Sequence, residues 1–251
     1  MSSERVFGMS IVYLDQNKWI ELGRAANDPA RYPAVSRLLA GLVDGVAVGR
    51  LTIPLSFANI YETQKINDGR QRHELAALQA GLSKGLVFRG RHLRFKVELA
   101  DFVRSAQGLP AEVRAADWFL SDIFFEAAIE AGDSRMAPVS ERIISLIKSR
   151  PSEMLYDYLV NTPEDVRRFA VRQFSEGAER LRQRIENRRS RDENESLAMR
   201  RRIYSAIMMV DDMDLILSCA QAAGASWASF SDIGSSLARR MMIEVPSLSG
   251  K

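Results

Sequence analysis

An α/β fold, with a parallel sheet flanked by helices and interrupted by a large all-helical insertion, is what the order of apolar segments predicts. Three observations carry this. Between residues 10 and 95, short β-branched and aromatic runs alternate with helical patterns, the alternation expected of a parallel sheet. From Phe95 to Tyr204 helical spacing continues almost without a break. Strand-like runs return only near the end, in Ser226–Phe230 and Met242–Val245. The core is therefore expected to comprise residues 1–95 and 203–251, with 96–202 as the helical insertion.

Taken in order, Ser10 to Leu14 reads as a buried strand stopped by Asp15-Gln16-Asn17. A helix with Trp19, Ile20 and Leu22 follows and ends at Asn27-Asp28-Pro29. Val35, Leu38, Leu39 and Leu42 lie at helical spacing in a second helix. Leu51 to Leu55 is the next strand, and Ser56 is placed to cap a helix with Phe57, Ile60 and Tyr61. Leu75, Leu78 and Leu82 mark a further helix, closed by Gly85 before the strand Leu86-Val87-Phe88. In the insertion, Thr162-Pro163-Glu164-Asp165 is a helix start: a capping hydroxyl, proline in the first turn, then acids favoured by the helix dipole. The polar stretch Arg188–Glu195 reads as a solvated bend or loop. Asp211, Asp212 and Asp214 can all open a helix that stops at Gly224, and Ser235–Arg240 is a short helix.

Composition narrows the chemistry. The 251 residues are 46% hydrophobic and 27% charged, with a formal net charge of +3. That balance permits a nucleic-acid partner without demanding one. Two histidines and a single cysteine leave no material for a Cys/His zinc site or a disulfide framework. His73 and His92 stand in no nucleophile motif, and Cys219 lies on an apolar helical stretch as a small core residue. Met1–Arg5 has no apolar signal core and no apolar run reaches membrane-spanning length, so a cytoplasmic protein is expected.

Four acids mark segment ends: Asp15, Glu62, Asp214 and Asp232. In open α/β sheets ligands bind at the carboxyl ends of the strands. Carboxylates gathered there repel one another unless a hard cation such as Mg²⁺ or Mn²⁺ lies among them. The pattern points to a metal-dependent hydrolase.

The same residues resemble the motifs of the PIN-domain nucleases. Tyr13-Leu14-Asp15-Gln16-Asn17 is similar to their opening strand ending in Asp-x-Asn. Leu51 to Glu62, with Ser56 six positions before the glutamate, resembles the second motif. Asp214 to Asp232 resembles the third and fourth, with Phe230 standing where many members carry Thr or Ser two positions before the last Asp. The resemblance covers about the first 95 and last 50 residues and leaves the helical middle without a counterpart. It implies a Mg²⁺- or Mn²⁺-dependent endoribonuclease of the toxin or defence type, with Asp15, Glu62, Asp214 and Asp232 as metal ligands and catalytic acids. Asp211 and Asp212 are alternative ligands to Asp214. Asn17 and Ser56 would help position substrate or ligand. The partners implied are RNA and, for a toxin, an inhibitor or other partner protein.

Two basic segments offer phosphate contacts. Arg91 and Arg94 follow the third strand, with Arg89 and Lys96, and are the expected substrate contacts. The arginines between Arg167 and Arg202 are interleaved with acids, as on a solvated helix face. A DNA or structure-specific nuclease using the same acids, and a non-catalytic module whose helical insertion docks a partner protein, are the rival readings.

Overall fold

The computed structural model describes residues 9–106, 108–110, 112, 115–128, 141–192, 196, 199 and 213–224. By packing, the chain forms two compact units, residues 1–90 with 115–174 and residues 91–114 with 175–251.

The first unit begins with β1 (Ser10–Ile11), then α1 (Gln16–Asn27) and α2 (Pro33–Ala47). Asp15 caps α1, and the helix buries Trp19, Leu22 and Ala25 at successive three-residue steps along one face. Proline opens α2 in its first turn, where its missing N–H costs nothing. Next come β2 (Leu51–Thr52), α3 (Phe57–Lys65), α4 (Gly69–Ser83) and β3 (Val87–Phe88). Asp68 caps α4 by accepting from the Arg70 and Gln71 amides. After two 3₁₀ turns and β4 (Leu120–Ser121), the unit takes in α6 (Glu141–Ser149) and α7 (Pro151–Asn161). α7 packs against α4 and carries fully buried Leu155 and Leu159 into the same core as Trp19, Ile53, Leu55 and Val87.

The seam between α4 and α7 depends on one glycine. Lys84 ends α4 in the left-handed region at φ 53°, and Gly85 follows at φ 77°. A Cβ on Gly85 would lie 2.3 Å from the carbonyl carbon of Pro151, so both the dihedral and the approach of α7 require glycine. Ser152 fixes the same contact by donating its hydroxyl to the Ala80 carbonyl at 2.8 Å.

The expected parallel sheet flanked by helices is not what forms. Among the described residues the chain is mostly helical, with two small two-stranded sheets: β1 and β2 parallel, β3 and β4 antiparallel. The runs Ser10–Leu14 and Leu51–Leu55 are real but pair over only two residues each. Pro54 offers no N–H and breaks the second run, after which Leu55 makes a single parallel bridge to Val87. The first run lies at the surface, with Ile11 40% and Tyr13 56% exposed, so it lacks the burial on both faces that a parallel sheet requires. The segment read as wholly helical also contains a strand, since Leu120 and Ser121 pair with Phe88 and Val87.

The second unit contains α5 (Arg91–Ala106), the later part of α8 (Glu164–Asp192), and α9 (Met213–Ala222). α5 and α9 pack through Phe95, Leu99, Phe102 and Val103 against Ile216 and Ala220. Cys219 packs beside this cluster and its thiol donates to the Lys96 carbonyl at 3.8 Å; burial pushes its pKa up. α8 runs straight through Arg188–Asp192, where a bend was expected. Thr162 does not cap it; its hydroxyl turns back to the Tyr158 carbonyl and closes α7 instead. The predicted elements Ser226–Phe230, Ser235–Arg240 and Met242–Val245 lie outside the described residues. No described helix is long and apolar enough to cross a membrane.

Candidate functional site

Asp15 sits at the turn from extended chain into α1, with φ −71° and ψ 167°. Its Oδ1 accepts from the Lys18 amide at 2.8 Å, the ordinary bond of an N-cap, and the side chain is solvent-facing. Asn17 is exposed on the first turn of the same helix. Ser56 caps α3 and forms a capping box with Asn59: the Asn59 amide donates to Ser56 Oγ at 3.3 Å, and the Ser56 amide donates to Asn59 Oδ1 at 3.0 Å. Glu62 lies farther along α3, partly exposed, and pairs with Lys65 at 3.2 Å.

What joins these two acidic segments is a circuit of neutral side chains. Gln16 Nε2 donates to Thr63 Oγ1 at 3.1 Å, and Thr63 donates onward to Gln79 Oε1 at 2.8 Å. Gln79 Nε2 returns to Gln16 Oε1 at 3.4 Å, which closes the loop. Asn59 Nδ2 donates to the same Gln16 oxygen at 3.4 Å and to the Leu14 carbonyl at 3.3 Å. Thr63 and Gln79 are fully buried and Asn59 nearly so. α1, α3 and α4 therefore meet through a polar network inside the core, the arrangement that fixes geometry when every member is satisfied. Asp15 and Glu62 are each one residue away from the bonded pair Gln16–Thr63. The circuit was not foreseen from sequence.

The other expected site residues lie elsewhere. Asp214 is exposed in the first turn of α9, in the second unit. Arg91 and Arg94 occupy the first turn of α5 in that unit, and each has an interaction partner. Asp232, Asp211 and Asp212 lie outside the described residues. Among the described residues no group of three or more His, Cys, Asp or Glu side chains is gathered to hold a metal ion. His73 is engaged by the Tyr156 hydroxyl at 2.7 Å, so it is part of the α4–α7 seam.

No protein-family model matches this chain, and no curated protein or solved structure matches it either.

Proposed function

We propose that this chain is a Mg²⁺- or Mn²⁺-dependent endoribonuclease in which Asp15 and Glu62 are metal ligands. The observation that supports the reading is the closed circuit of Gln16, Thr63, Gln79 and Asn59, which holds the segments bearing Asp15 and Glu62 against each other. A network of this kind orders the chain from behind while both carboxylates stay open to solvent. Their donor chemistry suits the ion: both are hard oxygen ligands, and Asp15 uses only Oδ1 in its cap bond. Such an ion supplies an activated water and neutralises charge on the scissile phosphate. This chain's part is to hold the two carboxylates at a fixed spacing and to bring a phosphodiester against them. Asn17, on the exposed first turn, is placed to contact the substrate.

Asp15→Asn is the test, because asparagine caps a helix about as well as aspartate but loses the charge. The variant should keep its stability within about 0.5 kcal/mol. Its Mg²⁺- or Mn²⁺-dependent cleavage of RNA should fall by several orders of magnitude, and EDTA should stop the wild type. Undiminished cleavage by folded Asp15→Asn sinks the assignment. A panel of RNA, single-stranded DNA and duplex DNA separates the ribonuclease reading from a DNA or structure-specific one.

The docking reading has its own observation. Val166 and Phe169, three residues apart on α8, are 52% and 62% exposed, an exposed apolar pair on a helix rich in charge. It gains ground if no substrate in the panel is cut.

A further inference from the structure

The carboxyl end of α3 gathers two guanidinium groups on its terminal carbonyls. Arg72 Nη1 donates to the Ile66 carbonyl at 2.7 Å. Arg167 Nη1 donates to the Gln64 carbonyl at 2.6 Å and reaches the same Ile66 oxygen at 3.4 Å. Two guanidinium groups thus share one carbonyl oxygen, which puts their Nη1 atoms no farther apart than those two distances together. Arg167 is 5% exposed, and its pKa is lowered, first by burial and then by the neighbouring Arg72. Glu164 lies near enough to favour the charged Arg167, but its carboxylate is held by Arg168.

Two buried donors of these residues have no partner among the described residues. Arg72 Nε donates to no described group, and neither does Nε2 of Gln64, a residue only 3% exposed. Carbonyls at a helix C-terminus do attract arginine, which accounts for the three Nη1 contacts. They do not account for a buried Nε–H and a buried amide left unpaired, each costly in a dry site. Nor do they offset the repulsion of two adjacent cations. A ligand that supplies several acceptor oxygens and negative charge meets all of these needs together. A phosphate group does so, and a planar guanidinium holds it with paired N–H donors.

We propose that Arg72 and Arg167 form a binding site for a phosphate group at the carboxyl end of α3. The site stands independently of the nuclease reading, since it uses none of the acidic residues. Its ligand is the phosphate of a nucleic-acid backbone or a free phosphate, and the same experiment tells them apart.

Purified full-length chain is kept in EDTA, so that no metal-dependent step contributes. Inorganic phosphate is titrated by calorimetry and by thermal melting, against chloride at equal ionic strength. The expected result is saturable binding and a melting temperature that rises with phosphate beyond the rise in chloride. Arg72→Gln keeps a donor for the Ile66 carbonyl and should remove both effects. Arg72→Lys keeps the charge but loses the Nε–H, and should weaken binding at least tenfold. In parallel, a single-stranded RNA oligonucleotide is bound with and without phosphate. If the backbone is the ligand, phosphate competes, and Arg72→Gln flattens the salt dependence by roughly 0.7 on single strands. If free phosphate is the ligand, RNA binding is unchanged in Arg72→Gln while phosphate binding is lost. A phosphate effect of equal size in wild type and Arg72→Gln reports only general stabilisation by an excluded salt and overturns the proposal. So does the absence of saturable phosphate and RNA binding by the wild type, a measurement that does not depend on any variant folding.

Discussion

Buried polar groups on α3 are treated in two opposite ways. Along one face, Asn59 and Thr63, four residues apart, meet Gln16 and Gln79 in a circuit that balances donors against acceptors. At its carboxyl end, Gln64 and Ile66 offer carbonyls to two arginines, and donors are left over. The first arrangement is complete within the chain. The second is completed by something that brings oxygen and negative charge. One nine-residue helix thus carries both a closed polar network and an open one, on the consecutive residues Thr63 and Gln64.

This contrast can be broken by substitution. Thr63→Val keeps the shape of the side chain but strips Gln16 Nε2 and Gln79 Oε1 of their partner inside the core. It should cost about 3 kcal/mol, read as a lower urea midpoint at unchanged slope. A loss under about 1 kcal/mol would mean that the circuit contributes little. Ser56→Ala removes the cap acceptor for the Asn59 amide and the hydroxyl donor to Asn59 Oδ1, and should cost about 1 kcal/mol by the same measurement. Gln64→Met at the open end should show the opposite behaviour. It deletes a donor that has no partner, so stability should hold or rise by up to about 1 kcal/mol. A clear loss there would show that the amide is already satisfied.

Much of the helical framework was legible in the residues. Trp19 and Leu22, the break at Asn27-Asp28-Pro29, Ser56 before Phe57, and Gly224 after the last described helix each acted as their local chemistry requires. The strands were misjudged because a short apolar run records burial and not pairing. Pro54 and the exposed Tyr13 decide the pairing through context that periodicity does not carry. The helical reach of Arg188–Asp192 was missed because interleaved charge reads as loop; elsewhere on α8, pairs such as Arg182 with Glu179 suit a solvated helix. The circuit left a faint trace. Gln79 falls four residues after Leu75 and three before Leu82, on the buried face of α4, and Thr63 stands three after Ile60. Polar residues at apolar positions announce a buried network, but their partners, as far apart in sequence as Gln16 and Gln79, can be named only from the fold.

The contact of Gly85 with Pro151 joins segments that leave the ribosome at different times. The part of α4 that bears Ala80 meets α7 only when Pro151, Ser152 and the rest of that helix arrive, more than sixty residues later in the chain. At about 5–20 residues per second, a ribosome takes several seconds to add them. During that interval the nascent amino-terminal segment carries an unsealed apolar surface, the period in which a chaperone or a misplaced partner can engage it.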